Sequence, residues 1–329
     1  MNNTKLLVIC GPTASGKTNL ALSLAKKFDG ELVSADSRQV YTGMDIVTGK
    51  ELSSKETIEK LRLYAIHNDT EYSLVPYKFY DVPLWMCDVV SPDREFSVSH
   101  YERLAGTVIR NVQKSKKLPI VVGGTGLYIR SLFRPMNTIA ITPNVALREE
   151  LSILALAELQ EKLQQLDTRI WEMLHDSDKR NPRRLIRKIE ICLSQNKLMK
   201  KDLKTDFDVL LIGLTAPLKK IYERIDTRVD ERIKSGALDE VKKLQSVYGY
   251  DIPSMTGLGY REWREYFEKN ENTGIFDACV QRWKFHEHAY ARRQMTWFRK
   301  EKDIHWFDIE DKDFEQNIEP LVRGWYTSP

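Results

Sequence analysis

Eight consecutive residues, Gly11-Pro12-Thr13-Ala14-Ser15-Gly16-Lys17-Thr18, carry the clearest chemistry in this sequence. They fit the pattern G-x-x-x-x-G-K-[ST], in which two glycines let the chain curl until backbone N–H groups point inward at an anion. A helix starting just after the curl adds the partial positive charge of its N-terminus. Lys17 contributes a point charge. The Thr18 hydroxyl is the kind of ligand that shares Mg²⁺ with phosphate oxygens. The pattern implies a bound di- or triphosphate and leaves open whether a phosphoryl group moves.

Three more segments could act beside that cradle. Asp36-Ser37-Arg38-Gln39 follows a strand-like run, and a carboxylate there can accept a proton, bind a metal or cap a turn. Gly123-Gly124-Thr125-Gly126 allows close backbone approach to a ligand, or serves as a plain strand-to-helix turn. Arg224 and Arg228 are four residues apart, so one helix face can present both to a phosphate. Farther along, Lys179, Arg180, Arg183, Arg184, Arg187 and Lys188 form a dense basic cluster, with Pro182 suited to a first helical turn. Arg180, Arg183, Arg184 and Arg187 fall at helical spacings, so several can share a face that suits phosphates, or water. Gly257-Leu-Gly259-Tyr260-Arg261 and Arg292 to Lys300 each mix arginine with aromatic residues.

The elements that must position these groups read as α/β. Leu6 to Cys10 is an unbroken apolar run, as in a strand buried on both faces of a parallel sheet. Thr18 to Phe28 has helical spacing. Glu31 to Ala35, Trp85 to Val90, Pro119 to Val122, Phe207 to Leu214 and Ile304 to Ile309 are strand candidates. Tyr101 to Lys117, Leu218 to Tyr248 and Phe276 to Lys300 read as helices. Asn144 to Lys204 is rich in Leu, Glu, Lys and Arg and has no strand-like run. The expected architecture is a P-loop NTPase-like, mostly parallel sheet flanked by helices, over residues 1–138 and 205–329. An all-helical insertion is expected over 139–204. The aromatic segment 51–83 reads as a helix followed by a loop or hairpin, packed over the outer edge of the site.

Composition narrows the class. The chain has 329 residues, 42% hydrophobic, with a net charge of +4, so its partners are better judged from local clusters than from overall charge. Its four cysteines are scattered and form no CxxC pair, which points away from zinc sites and disulfide frameworks and toward a reduced compartment. The apolar run at Leu6 is too short for a signal-peptide core or a membrane span. A cytoplasmic protein with no membrane partner, acting as a monomer, is expected.

Taken together, GPTASGKT, DSRQVY with TGMDIVTGK, GGTGLY, GYRE at Gly259 to Glu262 and ARRQMTWFRK at Ala291 to Lys300 resemble the bacterial tRNA dimethylallyltransferase family, in the family's order and over nearly the whole chain. The resemblance implies transfer of dimethylallyl from dimethylallyl diphosphate to N6 of adenine 37 in tRNAs that read codons starting with U. It implies Asp36 as general base, a role for Thr125 near the reacting groups, and Arg224, with Arg228 as the alternative, at the diphosphate. Mg²⁺ is the implied cofactor. The residues assigned to tRNA are Asp36, Ser37, Arg38, Gln39, Thr125, Arg183, Arg184, Arg187, Gly259, Tyr260 and Arg261, with Arg148 added by its distance after Gly123-Gly124-Thr125. The family's GMDIGTAKP is replaced by Gly43-Met-Asp-Ile-Val47-Thr-Gly49-Lys50-Glu51, and its His before Asp88 is missing. Two rival readings share the P-loop: a small-molecule kinase and a non-catalytic RNA-binding ATPase.

Overall fold

The computed structural model describes residues 4–50, 52, 55–134, 136–194, 207–269, 271 and 273–328. The chain divides into two compact units, one of Met1–Arg134 with Thr205–Pro329, the other Pro135–Lys204.

The first unit begins with β1 (Thr4–Cys10), α1 (Lys17–Lys27) and β2 (Gly30–Ser34). Four short strands follow: β3 (Leu63–His67), β4 (Thr70–Leu74), β5 (Tyr77–Phe79) and β6 (Val82–Trp85). Next come α2 (Val98–Lys114), β7 (Leu118–Gly123) and α3 (Gly126–Phe133). The second unit contains α4 (Val145–Ser152), α5 (Leu156–Leu166), α6 (Thr168–Met173), α7 (Asp176–Lys179) and α8 (Pro182–Leu193). The chain then returns to the first unit with β8 (Phe207–Thr215), α9 (Leu218–Lys234), α10 (Ala237–Tyr248), α11 (Arg264–Glu268), α12 (Phe276–Phe298), β9 (Ile304–Asp308) and α13 (Phe314–Thr327).

Seven strands form one sheet in the order β5-β6-β2-β7-β1-β8-β9, parallel throughout except for β5 on its edge. The apolar run of β1 is buried on both faces. Leu6, Val8 and Cys10 join the core that also holds Tyr101 and Ile109 of α2 and Ile225 of α9, whereas Leu7 and Ile9 join the core with Leu20 and Leu24 of α1 and Ile318 of α13. This two-sided burial is why the strand reads as continuous apolar sequence rather than alternation. In the second unit, Leu151, Leu159, Leu163, Leu185 and Ile189 form a separate core. No helix among the described residues is long and apolar enough to cross a membrane.

Several elements differ from the sequence expectation. The strand expected over Trp85 to Val90 ends at Trp85, because Met86 and Asp88 take left-handed conformations (φ 65 and 52). The long helix expected from Leu218 to Tyr248 breaks at Gly236, whose φ of 98 suits glycine. The aromatic segment, expected as a helix followed by a loop or hairpin, has a single 3₁₀ turn at Glu59–Leu61 in place of the helix among its described residues, and then two hairpins. Asn68 and Asp69 turn the first with φ of 47 and 58, and Tyr80 and Asp81 turn the second with φ of 46 and 70, the paired positive angles of a tight hairpin turn. The first hairpin rests on α2, where Arg103 donates to the Ile66 carbonyl at 3.1 Å. The second extends the sheet edge through β5.

Candidate functional site

The site is assembled where three adjacent parallel strands end. The loop Gly11–Gly16 leaves β1, Asp36 follows β2, and Gly123-Gly124-Thr125 leaves β7. Ligands bind at the carboxyl ends of strands in such sheets, where helix N-termini converge. A cavity of about 700 Å³ lies there. Its walls include Thr13, Ala14, Gly16, Lys17, Thr18, Asp36, Gly123, Gly124 and Tyr290, with Arg224, Arg228 and Arg232 along one side.

The loop's curl has specific steric causes. Gly11 has φ of 139, and a Cβ there would lie 2.4 Å from the Leu214 carbonyl oxygen of neighbouring β8. Gly16, with φ of 85, turns the chain into α1. The Lys17 ammonium donates to the Pro12 carbonyl across the loop. A side chain 281 residues away completes the cradle: Gln294 of α12 accepts from Thr13 N–H at 2.8 Å and donates to the Gly124 carbonyl at 3.0 Å. Gln294 is almost fully buried, so it joins both glycine-rich loops as a brace. Gly124 needs to be glycine for this, since a Cβ would meet the Gln294 amide at 2.1 Å.

Asp36 accepts from Arg38 N–H at 2.8 Å. Thr125 stands at the N-cap position of α3, yet its side chain makes no capping bond. Its hydroxyl instead accepts from Ser37 N–H at 3.0 Å, which ties the Asp36 turn to the second glycine loop. Burial raises the Tyr290 phenol pKa, and the nearby Asp36 carboxylate raises it further. Burial pushes the Cys10 and Cys87 thiols up to about 12, so neither is a nucleophile at neutral pH.

On α9 the arginines are spread along the cavity. The Arg224 guanidinium lies 4.0 Å from where a Gly16 Cβ would stand, beside the phosphate loop. Arg228 and Arg232 lie against Gly49 in the cavity wall. Arg232 also approaches the buried Glu287 carboxylate at 3.7 Å. The segment with the divergent sequence forms the rest of that wall. Lys50 is buried and donates to the Tyr41 carbonyl at 2.7 Å, to Asp45 at 2.8 Å and to Asp88. Tyr77 of β5 donates to the other Asp88 oxygen at 2.5 Å, so the second hairpin braces the cavity wall from outside. Burial opposes ionisation of Asp45, but hydrogen bonds from Lys50 and Lys55 outweigh it and hold its carboxyl below the usual range. Glu240 of α10 accepts from the backbone N–H groups of Asp45, Ile46 and Val47 at 2.8, 2.7 and 3.1 Å.

Residues 39–301 match the family model described as IPP transferase, and residues 4–72 match one described as isopentenyl transferase. The chain belongs to the IPP transferase family. A tRNA dimethylallyltransferase of Anoxybacillus flavithermus is 34% identical over 97% of this chain and 95% of its own length. One of Bacillus mycoides is 35% identical over the same shares. The crystal structure of the tRNA isopentenylpyrophosphate transferase of Bacillus halodurans aligns with a TM-score of 0.67 at 31% identity, covering 98% of this chain and 96% of that one. A eukaryotic dimethylallyltransferase shares the fold at a TM-score of 0.78 and 24% identity.

In this chain, the residues expected to touch RNA fall into different environments. Arg183 is exposed on α8, and Arg184, also exposed, pairs with Asp178. Arg148 and Arg187 turn inward instead. Both bind the buried Glu190 carboxylate, and Arg187 also donates to the Thr138 and Ile141 carbonyls at 2.6 and 3.0 Å. Arg38 donates to the Pro253 and Ser254 carbonyls, both at 3.2 Å. Gln39 accepts from Ser34 at 2.9 Å and donates to Gly49 O at 3.2 Å.

Tyr260 corrects the sequence expectation. Its ring is fully buried and its hydroxyl donates to Glu240 at 2.7 Å, so it cannot stack on a base. Gly259 is equally enclosed, with Val47 2.4 Å from where its Cβ would be. Arg261 remains about half exposed and pairs with Glu262. Sequence reasoning also passed over Tyr290 and Gln294. Both lie on one face of α12 four residues apart, and that spacing is the signal that pairs them.

Proposed function

We propose that this chain transfers a dimethylallyl group from dimethylallyl diphosphate to the N6 amine of the adenine beside the anticodon (position 37) of tRNAs reading codons that start with U, releasing diphosphate. The observation that carries this reading is the meeting of an anion cradle and a carboxylate, Asp36, in one cavity, with the Thr125 hydroxyl tied to the N–H of the next residue, Ser37. A kinase would use the same cradle, but the relatives' names and the exposed arginines of α8 favour an RNA acceptor.

In the reaction, the bond from C1 of the donor to its bridging oxygen breaks and the electron pair leaves with the diphosphate. A bond forms from N6 to C1, and the N6 proton passes to the Asp36 carboxylate. The loop N–H groups, Lys17 and Arg224 neutralise the departing charge, which is where electrostatic stabilisation has most effect. Thr125 orients the amine or the diphosphate through its hydroxyl. The Ser15 hydroxyl is buried with no hydrogen-bond partner among the described residues, and Thr18 lines the cavity. Oxygen donors with few carboxylates suit Mg²⁺, which keeps phosphate and water ligands. Thr18 would hold that ion, whose charge favours departure of the diphosphate.

The adenine amine reaches this cavity only when the base leaves its stack, and loops offer such bases. Arg183 and Arg184 supply phosphate contacts in this reading. A cytoplasmic location is part of it, supported by four free cysteines. So is action as a monomer, which the mass in solution tests.

The decisive experiment incubates the protein with dimethylallyl diphosphate and tRNA from a strain lacking the modification, without ATP, and analyses the digested nucleosides by mass spectrometry. Prenylated adenosine is the expected product. Its absence, or a strict need for ATP, would overturn the assignment.

A further inference from the structure

Three arginines of α9, Arg224, Arg228 and Arg232, follow one another at four-residue steps, and all line the main cavity. Arg224 stands beside the phosphate loop. The helical rise carries Arg232 about 12 Å farther along the axis, beyond the span of a diphosphate held at that loop. There a second cavity, of about 420 Å³, adjoins the first and shares Gly49, Lys50, Arg228, Glu231 and Arg232 with it. Two guanidinium groups crowd this seam. A terminal nitrogen of Arg232 lies 2.2 Å, and one of Arg228 3.0 Å, from the point where a Gly49 Cβ would stand. Gly49, with φ of 64, stands where the resemblance to the family expects alanine, and the missing methyl is the space that Arg232 fills. Like charges this close repel unless an anion offsets them. Glu287 of α12 accepts from the Trp283 indole N–H at 3.3 Å and approaches Arg232 at 3.7 Å, an ion-pair distance beyond hydrogen-bond length. Burial outweighs the pull of both arginines and leaves the Glu287 pKa above its usual value, so this carboxyl is a weak counter-ion. Glu231 also borders the seam, but it is exposed, where solvent screens its charge.

We infer that Arg228 and Arg232 form a second anion subsite, which receives the inorganic diphosphate once it has left the phosphate loop. This rests on the reading that diphosphate is the group released at that loop. Adjacent planar guanidinium forks match the oxygens of a phosphate group. The Arg232 side chain is only 13% exposed, which favours a small anion over an RNA backbone. A subsite farther along the same helix holds the product away from the donor carbon and empties the loop for the next donor. Gly49 makes the subsite possible, because a side chain there would exclude the Arg232 guanidinium from the seam.

The test is isothermal titration calorimetry with inorganic diphosphate, added to protein already saturated with a non-ionising thio analogue of the donor, which fills the phosphate loop. The wild-type chain is expected to bind one further diphosphate. Arg232→Met keeps an unbranched stem without the charge and should weaken that binding about tenfold or more, the effect of one charge-assisted contact. Gly49→Ala keeps both arginines and Glu287, but its methyl displaces the Arg232 guanidinium, so the second binding should weaken there as well. Binding of the analogue in the same samples, with thermal midpoints, verifies that each variant is folded. No further diphosphate on the wild type, or wild-type affinity for it in either variant, would overturn the inference. So would displacement of the second diphosphate by an anticodon stem-loop, which would give the subsite to an RNA phosphate. A wild-type protein that neither binds the analogue nor prenylates tRNA would instead overturn the proposed function, so the two failures are distinguishable.

Discussion

Replacing Gln294 by alanine isolates the brace between the two glycine-rich loops. The change strips Thr13 N–H of an acceptor at 2.8 Å and the Gly124 carbonyl of a donor at 3.0 Å. A buried polar group left without a partner costs about 1–3 kcal/mol. Both groups border the cavity, so water can replace part of each bond, and the low end applies to each. The expected loss of folding stability is about 2 kcal/mol, read as a lower urea midpoint at constant slope. If the same energy must be supplied to shape the loop for the diphosphate, affinity for a non-ionising thio analogue of the donor falls roughly thirtyfold. Gln294→Glu separates the two bonds. It keeps an acceptor for Thr13 but sets a carboxylate against the Gly124 oxygen and beside the diphosphate site, so donor affinity falls further than stability. A Gln294→Ala protein within about 0.5 kcal/mol of wild type, binding the analogue within twofold, would refute the brace as a source of preorganisation.

Asp36→Asn keeps an oxygen for the Arg38 N–H but removes the proposed base. It is expected to cut kcat by about 10²–10⁴ with tRNA affinity little changed, measured by single turnover and by filter binding. The His100 ring shares a capping box with Ser97 and lies tilted 4.4 Å from His67, and burial first, then the His67 charge, depresses its pKa to about 4. The unfolded chain then binds a proton the folded one refuses, so stability is complete above the ordinary value near 6.5 and falls as pH drops toward 4. His100→Gln should flatten the urea midpoint between pH 7 and pH 5; an unchanged slope would count against the assignment. Arg148→Ala removes one of two arginines from the buried Glu190 and is expected to cost roughly 2 kcal/mol, with the second unit's core loosened. The exposed Arg183→Ala should leave stability within about 0.5 kcal/mol and reduce the slope of log K for tRNA against log salt by about 0.7–0.9.

The parts legible in the sequence were those whose reasons are local. The phosphate loop declares itself because its glycines, its lysine and the apolar strand before it are all required within a dozen residues of each other. The second glycine loop was legible as a turn, but its purpose depends on Gln294, which only folding brings near. In the segment Arg292 to Lys300 the arginines drew notice. Yet Arg292 lies over Tyr222 and Arg293 over Tyr290, while the neutral residues Gln294 and Trp297 meet Gly124 and Gly126. Tyr260 misled because an aromatic between glycine and arginine looks like an exposed platform; the carboxylate that buries it, Glu240, is twenty residues away on another helix. Likewise Tyr77 reaches Asp88 from a hairpin that periodicity alone could not place. Helix α13 gave no clear signal, in part because Pro320 interrupts its pattern.

The central strand takes its two neighbours from opposite sides of the helical insertion. It pairs with β7 from Leu7–Ile120 onward, and with β8 from Thr4–Phe207 to Cys10–Gly213. During synthesis, which adds roughly 5–20 residues per second, the first partner emerges long before the second. For several seconds one edge of the most apolar strand has no mate, while the intervening Pro135–Lys204 segment can gather its own leucine core. Ribosome-bound fragments ending before Phe207 should therefore recruit chaperones, and those extending past Thr215 should release them.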